Sequence, residues 1–156
     1  MAIAIKERTK HVMDSVPKNW TGDNLEKELF RAFERGEEYQ KKKDADEFEE
    51  KIKTNLSKAT TLSETIFHTA FEDYKVKIKR ALLKIDNVEH FETLFIVDRE
   101  SYFTDNLKEV YKKSFSIKKD FNCDSFRIDF KFMPSSENLN IELINSDGFV
   151  FGYGQE

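Results

Sequence analysis

The stretch Phe126-Arg-Ile-Asp-Phe-Lys-Phe132 sets Phe126, Ile128, Phe130 and Phe132 against Arg127, Asp129 and Lys131. Successive side chains of a strand point to opposite faces, so this pattern predicts a strand with one apolar face and one charged face. Upstream, Phe91–Val97 reads as another strand, rich in aromatic and branched residues. Between the two, Phe103, Leu107, Val110 and Tyr111 recur at helical spacing, with Ser101 placed to cap a helix. Downstream, Pro134–Asn138 supplies a turn, Leu139-Asn-Ile-Glu-Leu143 alternates again, Asn145-Ser-Asp-Gly148 turns, and Phe149, Phe151 and Tyr153 alternate last.

The order is therefore β-α-β-β-β. The strands flanking the helix are expected to be parallel neighbours joined by a right-handed crossover, and the last three strands antiparallel. With Phe126, Ile128, Phe130, Phe132, Leu139, Ile141, Leu143, Phe149 and Phe151 on one face, the sheet forms the floor of the core. With Phe130 a core residue of that floor, its truncation to Ala is expected to cost about 3–5 kcal/mol.

The first half reads as helices. One runs from about Ala2 to Ser15 and stops before Pro17; a second runs from about Asn24 to Lys43 along Leu25, Leu29, Phe30 and Phe33. A third starts near Asp44, where Ala45, Phe48, Ile52 and Leu56 recur. Residues 34–53 hold 14 charged side chains in 20 and are expected to protrude or to carry a broad solvated face, with a disordered connector around Lys41–Asp44 as the alternative. A fourth helix is expected from Thr61, which forms a capping box with Glu64, through Ile66, Ala70, Tyr74, Ile78, Ala81 and Ile85. Lys75-Val-Lys-Ile-Lys79 also alternates with period two, so a strand beginning near Tyr74 is the alternative.

The whole predicts an α+β single domain over residues 1–156. The helical residues 1–90 pack on a four-stranded mixed or antiparallel sheet formed by the β-α-β-β-β residues 91–156. A chain of 156 residues is long enough for a proper core.

The net charge is −4, and it is unevenly placed. Residues 1–90 carry 18 basic and 18 acidic side chains; residues 91–156 carry 8 and 12. That balance leans against binding a phosphate backbone. The single cysteine, Cys123, cannot form an internal disulfide. The start turns charged at Lys6, and no apolar run approaches the ~20 residues of a membrane span. A reducing cytoplasmic location is expected.

Few patterns carry chemistry. Asp120-Phe-Asn122-Cys-Asp124 opens like a calcium loop, but the sixth and twelfth positions are Ser125 and Lys131, so a polar turn before a strand is expected. Glu64, His68 and Glu72 share one helix face at i, i+4 and i+8, as a solvated row. Asp120 and Asp124 flank Cys123 and should oppose its ionisation. Asp98, Glu100 and Asp105 follow a strand, where capping is the ordinary role. Gly152-Tyr-Gly154 precedes no helix, so it has no phosphate-loop context.

No metal or other cofactor is called for. The expected role is a non-enzymatic protein–protein interaction, regulatory or inhibitor module, with another protein or a second copy as partner. The candidate binding residues are Arg127, Asp129, Lys131 and Glu142, with Asn140 beside them, and the basic group Lys75, Lys77, Lys79, Arg80 and Lys84. The aromatic arm Phe30, Phe33 and Phe48 is a further docking candidate. The alternatives are a small metal- or nucleotide-dependent enzyme built on dispersed groups such as Asp98, Asp129 and His68, and weak nucleic-acid binding through Lys75–Lys84.

Overall fold

A computed structural model describes residues 2–22, 24–37 and 42–154. Its elements run α1 (Ala2–Ser15), β1 (Trp20–Thr21), α2 (Leu25–Glu37), α3 (Lys42–Tyr74), β2 (Ile78–Asn87), β3 (His90–Val97), α4 (Arg99–Tyr102), α5 (Asn106–Phe121), β4 (Arg127–Pro134), α6 (Ile141–Ser146) and β5 (Phe149–Gly154). The fold is α+β. The sheet has five strands rather than four, in the order β1-β5-β2-β3-β4.

Strands β3 and β4 are parallel, as the intervening helix required, with Phe91 beside Ile128 and Phe95 beside Phe132. All the other pairings are antiparallel. The last three strands do not form the expected meander. Leu139–Leu143 is not a strand: Asn140 accepts a hydrogen bond from the Leu143 amide at 3.1 Å and caps α6. Chain and sheet order then part company, because β5 returns to pair with β2 and leaves β4 at the edge.

The expected third and fourth helices are one helix, α3, of 33 residues. The connector expected around Lys41–Asp44 begins outside the described residues, and Lys42 is already helical. Thr61 lies inside α3 and caps nothing; Glu64 instead accepts from Asn19 Nδ2 at 2.9 Å.

The helix ends at Tyr74 and is closed by Lys75 in an αL cap. The Val76 amide bonds the Ala70 carbonyl at 2.9 Å and the Lys75 amide the Phe71 carbonyl at 3.1 Å. Lys75 takes the left-handed position at φ 58°, which glycine usually fills. Residues 78–87 are therefore the central strand β2 and not helix. Ala81, Leu82 and Leu83 are all buried because both faces of β2 are covered, which removes the alternation that would have marked a strand.

The main core lies between the helices and one face of the sheet. Phe91, Phe95, Phe126, Ile128 and Phe151 are almost fully buried there, facing Ile52, Leu56 and Ile66 of α3 and Val110 and Ile117 of α5. Buried polar contacts tie α3 to the sheet. Asn55 donates to the Val88 and Ser125 carbonyls at 2.8 and 2.9 Å, and the Ser63 and Thr93 hydroxyls meet at 2.8 Å. A smaller cluster, Leu82, Leu94, Ile96 and Phe149, lies under α6. The apolar residues of the β region thus split between two faces. Leu139 and Ile141 join the smaller cluster, Phe130 and Phe132 are only partly buried, and Leu143 is exposed.

Candidate functional site

The charged side of β4 is a neutralised ladder. Lys131 meets Glu92 at 3.1 Å, Glu92 meets Lys84 at 3.8 Å, and Lys84 meets Asp86 at 3.6 Å. His90 then lies between two carboxylates, with Nδ1 3.0 Å from Asp86 and Nε2 2.8 Å from Asp129. Asp129 in turn holds Lys118 of α5. Burial alone would raise the Asp129 carboxyl, but hydrogen bonds from Lys118 and His90 outweigh it and hold the group below its ordinary value.

Arg127, at the end of this ladder, is exposed, and its side chain has no partner among the described residues. Glu142 is exposed on α6 and joins none of these contacts; Asn140 is spent on the α6 cap. Sequence reasoning missed His90, whose only signal is Asp86 four residues upstream across a hairpin.

The basic group does not line one helix. Lys75 follows α3, Lys77 precedes β2, and Lys79 and Arg80 lie at a break in the β2–β3 register near the start of β2. Lys77 and Lys79 line a cleft of about 830 Å³ with Phe67, Phe71, Glu72 and Tyr153. The row Glu64–His68–Glu72 borders the same region. His68 Nε2 lies 2.6 Å from the Tyr153 hydroxyl, and the Tyr153 phenol is pushed up by burial and by the Glu64 charge. The lysines and Glu72 give the cleft mixed signs, and Lys79 also lies 4.0 Å from Asp98.

The aromatic arm is packed away. Phe33 is buried, its ring is 5.3 Å from that of Phe48, and Phe30 packs on the core. Asp98 and Asp105 precede α4 and α5 without a side-chain capping bond. The turn before β4 is closed by Asn122. Its side chain accepts from the Ile128 amide at 2.9 Å and donates to the Ile128 carbonyl at 3.2 Å. Among the described residues no group of three or more His, Cys, Asp or Glu could hold a metal ion. The expectation for Cys123 reverses. The Ser125 hydroxyl and amide, which hydrogen-bond the sulfur, lower the thiol despite the flanking carboxylates.

The outer edge of β4 went unnoticed in the sequence. The Arg127 and Ser135 amides bond the Glu89 and Val97 carbonyls at 2.6 and 2.7 Å, so these odd-numbered residues face β3. The amide and carbonyl of one strand residue point the same way, and the direction alternates along the chain. The main-chain groups of Ile128, Phe130, Phe132 and Pro134 therefore point outward. Asn122 takes those of Ile128. No contact among the described residues takes those of Phe130 or Phe132.

Alongside this edge runs a strip of α5. Tyr111 meets Phe132 with ring centroids 4.9 Å apart, and Phe115, one turn on, is 68% exposed. A concavity of about 730 Å³, lined by His90, Lys118, Asn122, Cys123, Arg127 and Asp129, opens at the start of the same edge.

No model of a known protein family matches this chain, and neither does any characterised protein or solved structure. No helix among the described residues is long and apolar enough to cross a membrane.

Proposed function

We propose that this chain is a protein-interaction module rather than an enzyme, acting as a regulator or inhibitor by adding an extended protein segment to β4. The observation that supports this reading is the pair of unpaired residues, Phe130 and Phe132, beside the exposed ring of Phe115. An open strand edge is a template for another strand: main-chain bonds supply affinity, and alternate side chains supply specificity. Natural sheets usually blunt such an edge. Here Arg127, Asp129 and Lys131 charge one face of the strand and Pro134 ends it, but among the described residues only the main-chain groups of Ile128 are bonded on the outer side, by Asn122.

Peptides selected from a displayed random library against the immobilised protein test the reading. They should slow amide exchange at Phe130 and Phe132 when bound. Phe132→Pro removes an outward amide that a strand addition needs, a change an edge strand tolerates. It should abolish binding, whereas Phe132→Leu should retain it. Failure to select any peptide, or binding that leaves both amides unchanged, overturns the reading.

A further inference from the structure

We infer that the segment added to β4 is the β4 strand of a second copy of this chain, antiparallel about a two-fold axis at Phe130; this rests on the strand-addition reading above. The charges decide between registers. With Phe130 opposite Phe130 of the other copy, each Lys131 stands opposite an Asp129, and opposite charges in facing positions stabilise a strand pair. A register centred on Lys131 sets ammonium against ammonium. One centred on Phe132 sets Phe130 opposite Pro134, which has no amide, and leaves the Phe130 carbonyl unpaired.

The side chains agree with the Phe130 register. Asp129 already takes His90 on Oδ2 and Lys118 on Oδ1, and Lys131 already takes Glu92 at 3.1 Å; a carboxylate has about four acceptor sites and an ammonium three donors, so the pair across the axis adds to these contacts. On the opposite face, the Tyr111 and Phe115 strips of both copies flank the new strand pair. These rings are 42% and 68% exposed in the single chain, and two-fold pairing covers the same patch on both partners. The joined sheet is continuous across the axis.

Asn122 acts as the guard of this edge. In the Phe130-centred register Phe132 faces Ile128 of the other copy, whose amide and carbonyl Asn122 holds at 2.9 and 3.2 Å. The Phe130 pair therefore forms first, and the outer bonds form as Asn122 lets go. Asn122→Ala removes two hydrogen bonds from the single chain and is nonetheless expected to tighten the dimer.

Sedimentation velocity over a concentration series reads the test. The parent chain should pass from monomer to dimer. Lys131→Asp sets two carboxylates opposite each other at both symmetric positions and should weaken the dimer roughly ten-fold or more. Asp129→Lys should do the same, and mixing the two single variants should restore a dimer, because each then offers the charges the other lacks. Far-UV circular dichroism checks that each variant is folded; if Asp129→Lys does not fold, Lys131→Asp and Asn122→Ala carry the test.

A parent chain that stays monomeric at all concentrations, or a dimer indifferent to Lys131→Asp, overturns the inference. A monomer whose Phe130 and Phe132 amides still slow on binding library peptides overturns self-pairing alone. Amides that exchange slowly in the dilute monomer without any peptide overturn the open edge itself.

Discussion

At one edge of the sheet β1 is two residues long, and its Trp20 is buried with ring centroids 5.3 Å from both Phe151 and Tyr153. At the other edge β4 runs eight residues, and among the described residues only its first outward-facing one, Ile128, has its main-chain groups bonded, by Asn122. A short strand locked by a large ring gives a partner little backbone to pair with. A long strand with alternate amides facing out gives it a template. The same sheet thus carries a closed edge and an open one, and the difference is set by which side chains flank each strand.

The largest expected effect concerns the ring behind the open edge. Phe95 is fully buried and stacks on both Phe130 and Phe132. Phe95→Ala should cost about 3–5 kcal/mol in urea unfolding. Phe130 is only partly buried, so Phe130→Ala should cost less, about 1–3 kcal/mol. Equal losses would mean that Phe130 is as deeply buried as Phe95.

The closed edge breaks differently. A Cβ on Gly22 would lie 2.0 Å from the Val150 carbonyl oxygen, so Gly22→Ala must push β1 away from β5. The expected cost is about 1–3 kcal/mol by thermal unfolding, and an unchanged midpoint would show that the close approach is not required. Between the edges, Lys75 holds a left-handed conformation where β2 begins. Lys75→Gly removes that strain and should stabilise the chain by about 1 kcal/mol. A loss of stability would mean that the lysine side chain contributes more than its backbone costs.

The smallest effect is a dependence on pH. The folded-state pKa of Asp129 lies below the ordinary 3.8, so its contribution to stability is present at neutral pH. It is lost as the pH falls from the ordinary value through the folded one. Asp129→Asn should be less stable at neutral pH and should lose less stability on acidification. An acid limb as steep as the parent's would show that Lys118 and His90 do not favour the ionised form.

The closed edge was illegible in the sequence, since two residues carry no periodicity and Trp20 alone gave no partner. The parallel pair β3–β4 was legible, because each strand alternates or is aromatic-rich and a helix lies between them. Strand β2 was not. Burial of Ala81, Leu82 and Leu83 on both faces removes the period of two, while Ile78, Ala81 and Ile85 also fit a helix. Leu139–Leu143 misled in the opposite direction, its alternation overridden by the Asn140 cap. The charged residues Arg127, Asp129 and Lys131 were legible as one face of β4. The pairing of Asp129 and Lys131 with Lys118, His90 and Glu92 depends on which strands and helix lie alongside, as does the exposure of the Phe130 and Phe132 amides.

Amide exchange along β4, followed by NMR at low and at high protein concentration, tests the open edge most directly. The alternation should be plain in the dilute protein: Phe130 and Phe132 exchange fast, while Asp129 and Lys131, bonded to β3, exchange slowly. At high concentration Phe130 and Phe132 should slow and their neighbours stay as they were. Uniformly slow exchange in the dilute protein, or fast exchange at Phe130 and Phe132 at every concentration, would contradict the account.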